Sequence, residues 1–183
     1  MRTADLPDDE LLVLSRTRPE VLGVVYERHA PAVFRYLARR TGASAAEDLL
    51  GDVFAAAVAA RMTVHRHDSG SALPWLYGIA GNVVRAHLRR STPHGQVDRT
   101  PAVDWDAVDA RIDAGARRQE LRTALDALTD AERELLLLVA WDGLTPTEAA
   151  EALGLTPVAA RSRLHRARSR AQAALDEMSG AQL

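Results

Sequence analysis

The 183-residue chain has no cysteine, which excludes disulfides, thiolate metal sites and a cysteine nucleophile. It has no lysine either, so every strongly basic side chain is arginine, a bias that genome composition explains as well as function does. Aromatic residues make up only 4% of the chain, and long β-branched runs are missing. No apolar stretch approaches the ~20 residues that a membrane span needs. The one apolar run near the acidic N-terminus, Leu11 to Leu14, is too short for a signal peptide, which leaves the cytoplasm as the expected location. There is no glycine-rich phosphate loop, no histidine at metal-ligand spacing and no defensible nucleophile–base pair. Neither an enzyme nor a cofactor or metal site is expected.

What is abundant is Ala, Leu and Val, within a hydrophobic fraction of 47%. Ala and Leu are strong helix formers, so the expected fold class is all-α. The net charge of −2 argues against a protein that coats nucleic acid indiscriminately. Its distribution is more telling. Residues 1–90 carry 12 Arg and 10 acidic residues, while residues 157–170 hold Arg161, Arg163, Arg166, Arg168 and Arg170 with no acid among them. A local basic stripe on a near-neutral chain suits site-specific DNA contact.

The apolar spacing is helical from about Leu11 to Arg90, with breaks near Pro19, Gly42 and His65 to Pro74. Residues 91–114 hold Pro93, Gly95, Pro101 and five Asp among few apolar residues, the composition of a flexible acidic linker. Within it, Trp105, Val108 and Ile112 stand at helical spacing and could form a short helix. Periodicity returns from Gly115. The expected organisation is two small helical domains, 11–90 and 115–178, joined by that linker, the second a four-helix unit.

The second domain carries the clearest motif. Thr145 is placed to cap a helix that has Pro146 at its first position and Glu148 closing a capping box. Ala149, Ala150 and Leu153 face inward, and Gly154 supplies the positive φ of a sharp turn. Thr156 then caps a second helix from Pro157, whose Ala160, Leu164, Ala167, Ala171 and Ala174 form an apolar stripe. Ser162, His165, Arg166 and Ser169 make a polar outer face, flanked by Arg161, Arg163 and Arg168. Two capped helices around a glycine turn make a helix-turn-helix, whose second helix fits the major groove, where Arg pairs bidentately with guanine. A solvated charged helix at the end of a bundle is the bland alternative, and it leaves the paired caps unexplained. Upstream, Leu121, Leu125 and Leu128 line one helix and Ala131 to Trp141 another, which Asp130 would cap and which is expected at the buried centre.

Two N-terminal segments stand out. In Ala46 to Arg61, Leu49, Leu50, Val53 and Phe54 form an apolar face beside Glu47, Asp48 and Asp52. Asp48 and Asp52 share a helical face, but no histidine follows at i+3 or i+4, so a docking or solvated surface fits better than a metal or acid–base site. In Ala72 to Arg90, Leu76, Ile79, Val83 and Leu88 are expected inward. Trp75, Tyr77, Asn82, Arg85, Arg89 and Arg90 interleave aromatic and basic groups next to Asp68-Ser69-Gly70-Ser71. That mixture suits single-stranded DNA, where bases stack and phosphates pair, and it equally suits core aromatics with a basic helix end.

Taken in order, YERHAPAVFRYLARRTG (Tyr26 to Gly42), AEDLLGDVFAAAV (Ala46 to Val58), PWLYGIAGNVVRAHLRR (Pro74 to Arg90) and the block from Leu121 to Arg168 resemble the extracytoplasmic-function class of sigma factors of the sigma-70 family. The resemblance covers most of residues 20–175 and implies a protein that directs RNA polymerase core to promoters. It implies partners in the β′ clamp and β flap of the polymerase, in promoter DNA and, where one exists, in an anti-sigma factor. The helix from Ala46 is similar to the one that docks on the β′ clamp, which places Asp48, Leu49, Asp52 and Phe54 at or beside that contact. Trp75, Asn82, Arg85 and Arg89 fall where the family reads the −10-type element. Arg161, Ser162, Arg163, His165 and Arg166 fall on the −35-type reader.

The chain departs from the family pattern at Gly81, where Arg is common, at Ala86, where an acid is common, and at the small run Ala55 to Ala57. Two other readings stay open on the residues. One is a free-standing helix-turn-helix regulator, which would need a dimer surface and a palindromic site. The other is a degenerate family member that acts only through protein contacts.

Overall fold

Helix boundaries in this chain follow local chemistry, and which face each helix buries follows from its partners. The computed structural model describes residues 2–64, 70–91 and 115–180, and every regular element among them is helical. The proposed linker helix around Trp105, Val108 and Ile112, with nearly all of the linker itself, lies outside the described residues, as do Asp68 and Ser69. The chain divides into two units, Met1–Asp104 and Trp105–Leu183.

The first unit holds α1 (Asp8–Leu14), α2 (Leu22–Thr41), α3 (Ala43–Ala60) and α4 (Leu73–Ser91), with short 3-10 turns at Thr3–Asp5 and Pro19–Val21. α1 begins three residues before the expected start, because Asp8 is itself drawn into the interior. α2 runs through Pro31, which removes one backbone donor from the helix interior. Burial of Val25, Val33 and Leu37 on either side of it holds the span together. Gly42, at φ 79°, is the single-residue corner between α2 and α3. α2, α3 and α4 pack on one another, with α1 against α2. The core they share comes from Leu11, Leu12, Leu37, Leu49, Val53, Leu76 and Val84.

The face that α4 buries differs from the expected one. Leu76, Tyr77, Ala80, Gly81 and Val84 are buried, whereas Ile79, Val83 and Leu88 are only half-buried. The cause is close approach to α2. Tyr77 stacks on Tyr36, with ring centroids 5.0 Å apart, and Arg40 lies over the other ring partner, 3.6 Å from the Tyr36 centroid. A Cβ added to Gly81 would meet the Tyr36 hydroxyl at 3.3 Å and the Arg85 guanidinium at 3.4 Å. Glycine here serves the packing of two helices, and the larger Ile79 and Val83 are rotated to the rim.

The second unit holds α5 (Gly115–Asp126), α6 (Asp130–Ala140), α7 (Pro146–Ala152) and α8 (Pro157–Gly180). α5, α6 and α7 each pack on α8. Leu125, Leu128, Leu135, Leu138, Ala149, Ala150, Ala160, Leu164 and Ala167 are buried between them. α6 is capped by Thr129, with Asp130 the first helical residue, correcting the expectation that Asp130 is the cap. Thr129 has the extended backbone of a cap, and its hydroxyl accepts from the Glu132 N–H while the Glu132 carboxylate accepts from the Thr129 N–H. The same Thr-x-x-Glu box starts α7 at Thr145 and Glu148, as the sequence predicts. Trp141, expected in the core, is half-buried at the end of α6, since the chain turns there toward Gly143.

Candidate nucleic-acid interface

α7 and α8 meet across Gly154, whose φ of 65° lets the Leu155 N–H reach back to the Ala150 carbonyl at 2.8 Å. The Thr156 hydroxyl accepts from the Ala159 N–H and starts α8. Ala160, Leu164 and Ala167 are buried, and small side chains there let the two helices approach closely. Ala171 and Ala174, further along the stripe, are half-buried. The opposite side of α8 is thereby presented outward: Arg161, Ser162, His165 and Arg166 are exposed, and Arg163 is half-buried. Val158, in the first turn, is 69% exposed, an apolar side chain that the sequence reading passed over.

The arginines of α8 are not equivalent. Arg166 donates to the Ser162 hydroxyl at 2.8 Å and its Nε lies 3.8 Å from the Glu132 carboxylate. One turn further on, Arg170 donates to the other Glu132 oxygen at 2.7 Å. Arg166 was expected to point freely outward. It is instead tethered, because Glu132 of α6 lies against this flank of α8. The side chains of Arg161, His165 and Arg168 make no hydrogen bond or ion pair with any described residue and lie outside that network.

Glu132 is therefore a residue of this surface that the sequence reading missed. Its side chain is 5% exposed. Burial raises its carboxyl, but the bonds from the Thr129 backbone and hydroxyl and the adjacent Arg170 outweigh that and hold it below its ordinary value of 4.5. The spacing Thr129-x-x-Glu132 could have identified it, being the box recognised at Thr145. A carboxyl lowered in the folded state contributes stability that is complete above its ordinary value and lost as pH falls through the lowered one. Replacing Glu132 by Gln keeps the cap and removes the charge. The change is expected to destabilise the second unit near neutrality by about 1 kcal/mol, a charge-assisted bond discounted for the half-exposed Arg170. Thermal unfolding from pH 7 to pH 3 should then find wild type and Glu132→Gln converging in acid.

In the first unit, Asp48 and Asp52 are exposed along one side of α3. Leu49, the least exposed of the four expected docking residues, is 2% exposed and packs in the shared core beneath the side that carries Asp48 and Asp52. Phe54 is half-buried and meets Tyr26 of α2 edge-to-face at 4.8 Å; around the helix it stands about a third of a turn from Asp48 and nearly opposite Asp52. Val58 and Met62 continue the Phe54 stripe and are exposed. On α4, half-buried Trp75 and exposed Asn82 and Arg89 recur every seven residues and so share a face. Arg85, exposed beside them, donates to the side-chain amide oxygen of Asn82 at 2.6 Å. Tyr77 belongs to the core and is no part of that surface.

Two helical units, one ending in a helix-turn-helix with a polar outer face, have the architecture of a DNA-binding protein. The family pattern described as Sigma-70 region 2 matches residues 25–93, and that described as Sigma-70, region 4 matches residues 118–170. RNA polymerase sigma factor CarQ of Myxococcus xanthus is 34% identical over 160 residues, 84% of this chain and 88% of CarQ. ECF RNA polymerase sigma factor SigC of Mycobacterium tuberculosis is 33% identical over 153 residues, 81% of this chain and 80% of SigC. Among solved structures, CnrH in complex with the cytosolic domain of CnrY superposes with a TM-score of 0.62 at 25% identity, covering 94% of this chain and 99% of CnrH. The chain belongs to the sigma-70 family, in its extracytoplasmic-function class. It is a sigma factor that directs RNA polymerase to promoters, with the polymerase and promoter DNA as its partners. Sigma factors are in general not enzymes. No described helix is long and apolar enough to cross a membrane.

Proposed function

We propose that the chain divides its work as 11–90, 91–114 and 115–178: polymerase docking with −10-type recognition, a tether, and −35-type recognition. In this reading α3 offers Asp48 and Asp52 to the β′ clamp, with Phe54 on the flank of the contact. α4 meets the −10-type element through Trp75, Asn82, Arg85 and Arg89. α8 enters the major groove of the −35-type element with Arg161, Ser162, Arg163 and His165, Arg166 being held in register by Glu132, while the β flap supports the second unit. The observation that carries the reading is the outer face of α8, where exposed Arg161, Ser162, His165 and Arg166 stand opposite the buried Ala160, Leu164 and Ala167. The protein has no chemistry of its own and works in the cytoplasm, where its polymerase is. An anti-sigma factor is a further proposed partner, supported by the relative CnrH having been solved with CnrY.

The basic stripe is short and the chain is near neutral, so phosphate neutralisation alone is weak. The isolated protein is expected to bind its promoter weakly and the polymerase-bound protein tightly. Purified chain and core polymerase, separately and together, titrated against a promoter fragment at physiological salt, check this. Equal affinity with and without core would favour a free-standing regulator.

A further inference from the structure

The N-terminal helix and the turn after it hold both sides of the chain that joins α3 to α4. Asp8, the first residue of α1, accepts the Ala72 N–H at 3.1 Å across a sequence separation of 64. The same carboxylate accepts from Arg28 of α2 at 2.7 Å and from the His29 imidazole. Arg16, just beyond α1, donates to the carbonyl of Val64, a buried residue just past the end of α3. Ala72 is where α4 starts, its carbonyl accepting the Leu76 N–H at 3.0 Å. Trp75 follows one turn later.

A carboxylate is a costly way to join three elements unless direction matters, since burying it needs several donors to offset desolvation. Here all the donors are present. Burial raises the Asp8 carboxyl, and the bonds from Ala72, Arg28 and His29 bring it below its ordinary value. An apolar contact would have allowed α4 to slide or rotate against α1. A carboxylate oxygen aimed at one backbone N–H sets both position and angle at the first turn of α4. Arg16 sets the exit of α3 in the same way, so both anchor points are fixed from one short segment.

We propose that Asp8 and Arg16 are positioning residues for promoter recognition: α1 and its turn set the start of α4, and thereby the placement of the face that carries Trp75 and Asn82. This rests on the reading of α4 as the −10-type reader. Neither residue touches DNA in the proposal, and α1 lies outside the family match, which begins at residue 25.

The test uses the full chain with core polymerase and a promoter set varied one base at a time through the −10-type element. The variants are Asp8→Asn, which keeps an acceptor and loses the charge, and Arg16→Gln, which serves should the first fail to fold. Trp75→Ala and Asn82→Ala are the controls for the underlying reading. Discrimination between the best and the single-base-substituted elements is expected to fall about fivefold or more in each positioning variant, out of the roughly ten- to hundredfold a base pair is worth. Core binding and preference at the −35-type element should stay within about twofold. A merely structural role would lower output on every promoter alike and leave the base preference intact, which would overturn the proposal. If Trp75→Ala and Asn82→Ala change the preference and the positioning variants do not, the positioning role falls and the reader stands. If none of the four changes it, the reading of α4 fails first and the proposal with it.

Discussion

With Asp48 and Asp52 both replaced by Arg, association with core polymerase is expected to fall on the order of a hundredfold, since placing like charges across an interface costs several kcal/mol. Both residues are exposed and lie on one side of α3, opposite the buried Leu49, Val53 and Ala57, so the exchange leaves the core alone. Phe54 is best left intact. It packs against Tyr26, and its truncation would mix lost docking with lost helix packing. Co-purification with core and direct titration read the effect, with far-UV circular dichroism as the check that the helices persist. The docking loss should be larger at low salt than at high, because exposed charges are screened over about 10 Å at 0.1 M. Unchanged affinity for core would remove α3 as the docking surface and leave the rest of the reading standing.

Arg161→Ala is expected to change what the protein reads while leaving how well it folds. The side chain is exposed, sits in the second turn of α8 and is off the Ala160–Leu164–Ala167 stripe. Alanine is well tolerated at such a position. If Arg161 pairs bidentately with a guanine, its loss costs ~1–3 kcal/mol and relaxes preference at one base pair of the upstream element. A phosphate contact would instead weaken all sequences alike and lower the salt slope by about one unit. Transcription from every single-base variant of the upstream box separates the two. Arg166→Ala should behave differently, because that side chain also bonds Ser162 and approaches Glu132. A modest loss of thermal stability and a broader loss of preference are expected together. Wild-type output from both variants across the whole set would mean that α8 is not the reader.

The two arginines illustrate how far local sequence carries. Both stand at outward positions by helical spacing, and both are exposed, yet only one is tied to a neighbour. Its bond to Ser162 is one turn away within α8, but its ion pair is with Glu132 of α6, and no periodicity within α8 announces that. Gly81 makes the same point in reverse. In sequence it is only a departure from the family pattern, whereas in the fold it lies under the Tyr36 hydroxyl, where a Cβ would crowd the packing of α4 on α2.

By itself the sequence determined the all-α character, the Thr145 box, the Gly154 turn, the buried side of α8 and the outward placement of Asp48 and Asp52. Each depends on residues within four positions of one another, where a helix brings its own side chains and caps together. Only the tertiary structure decided which side of α4 is inside, that Leu49 serves the core, that Glu132 braces α8, and that Asp8 and Arg16 hold the chain between α3 and α4. Those outcomes depend on groups tens of residues apart, whose meeting is set by how whole helices pack and not by the pattern along any one of them.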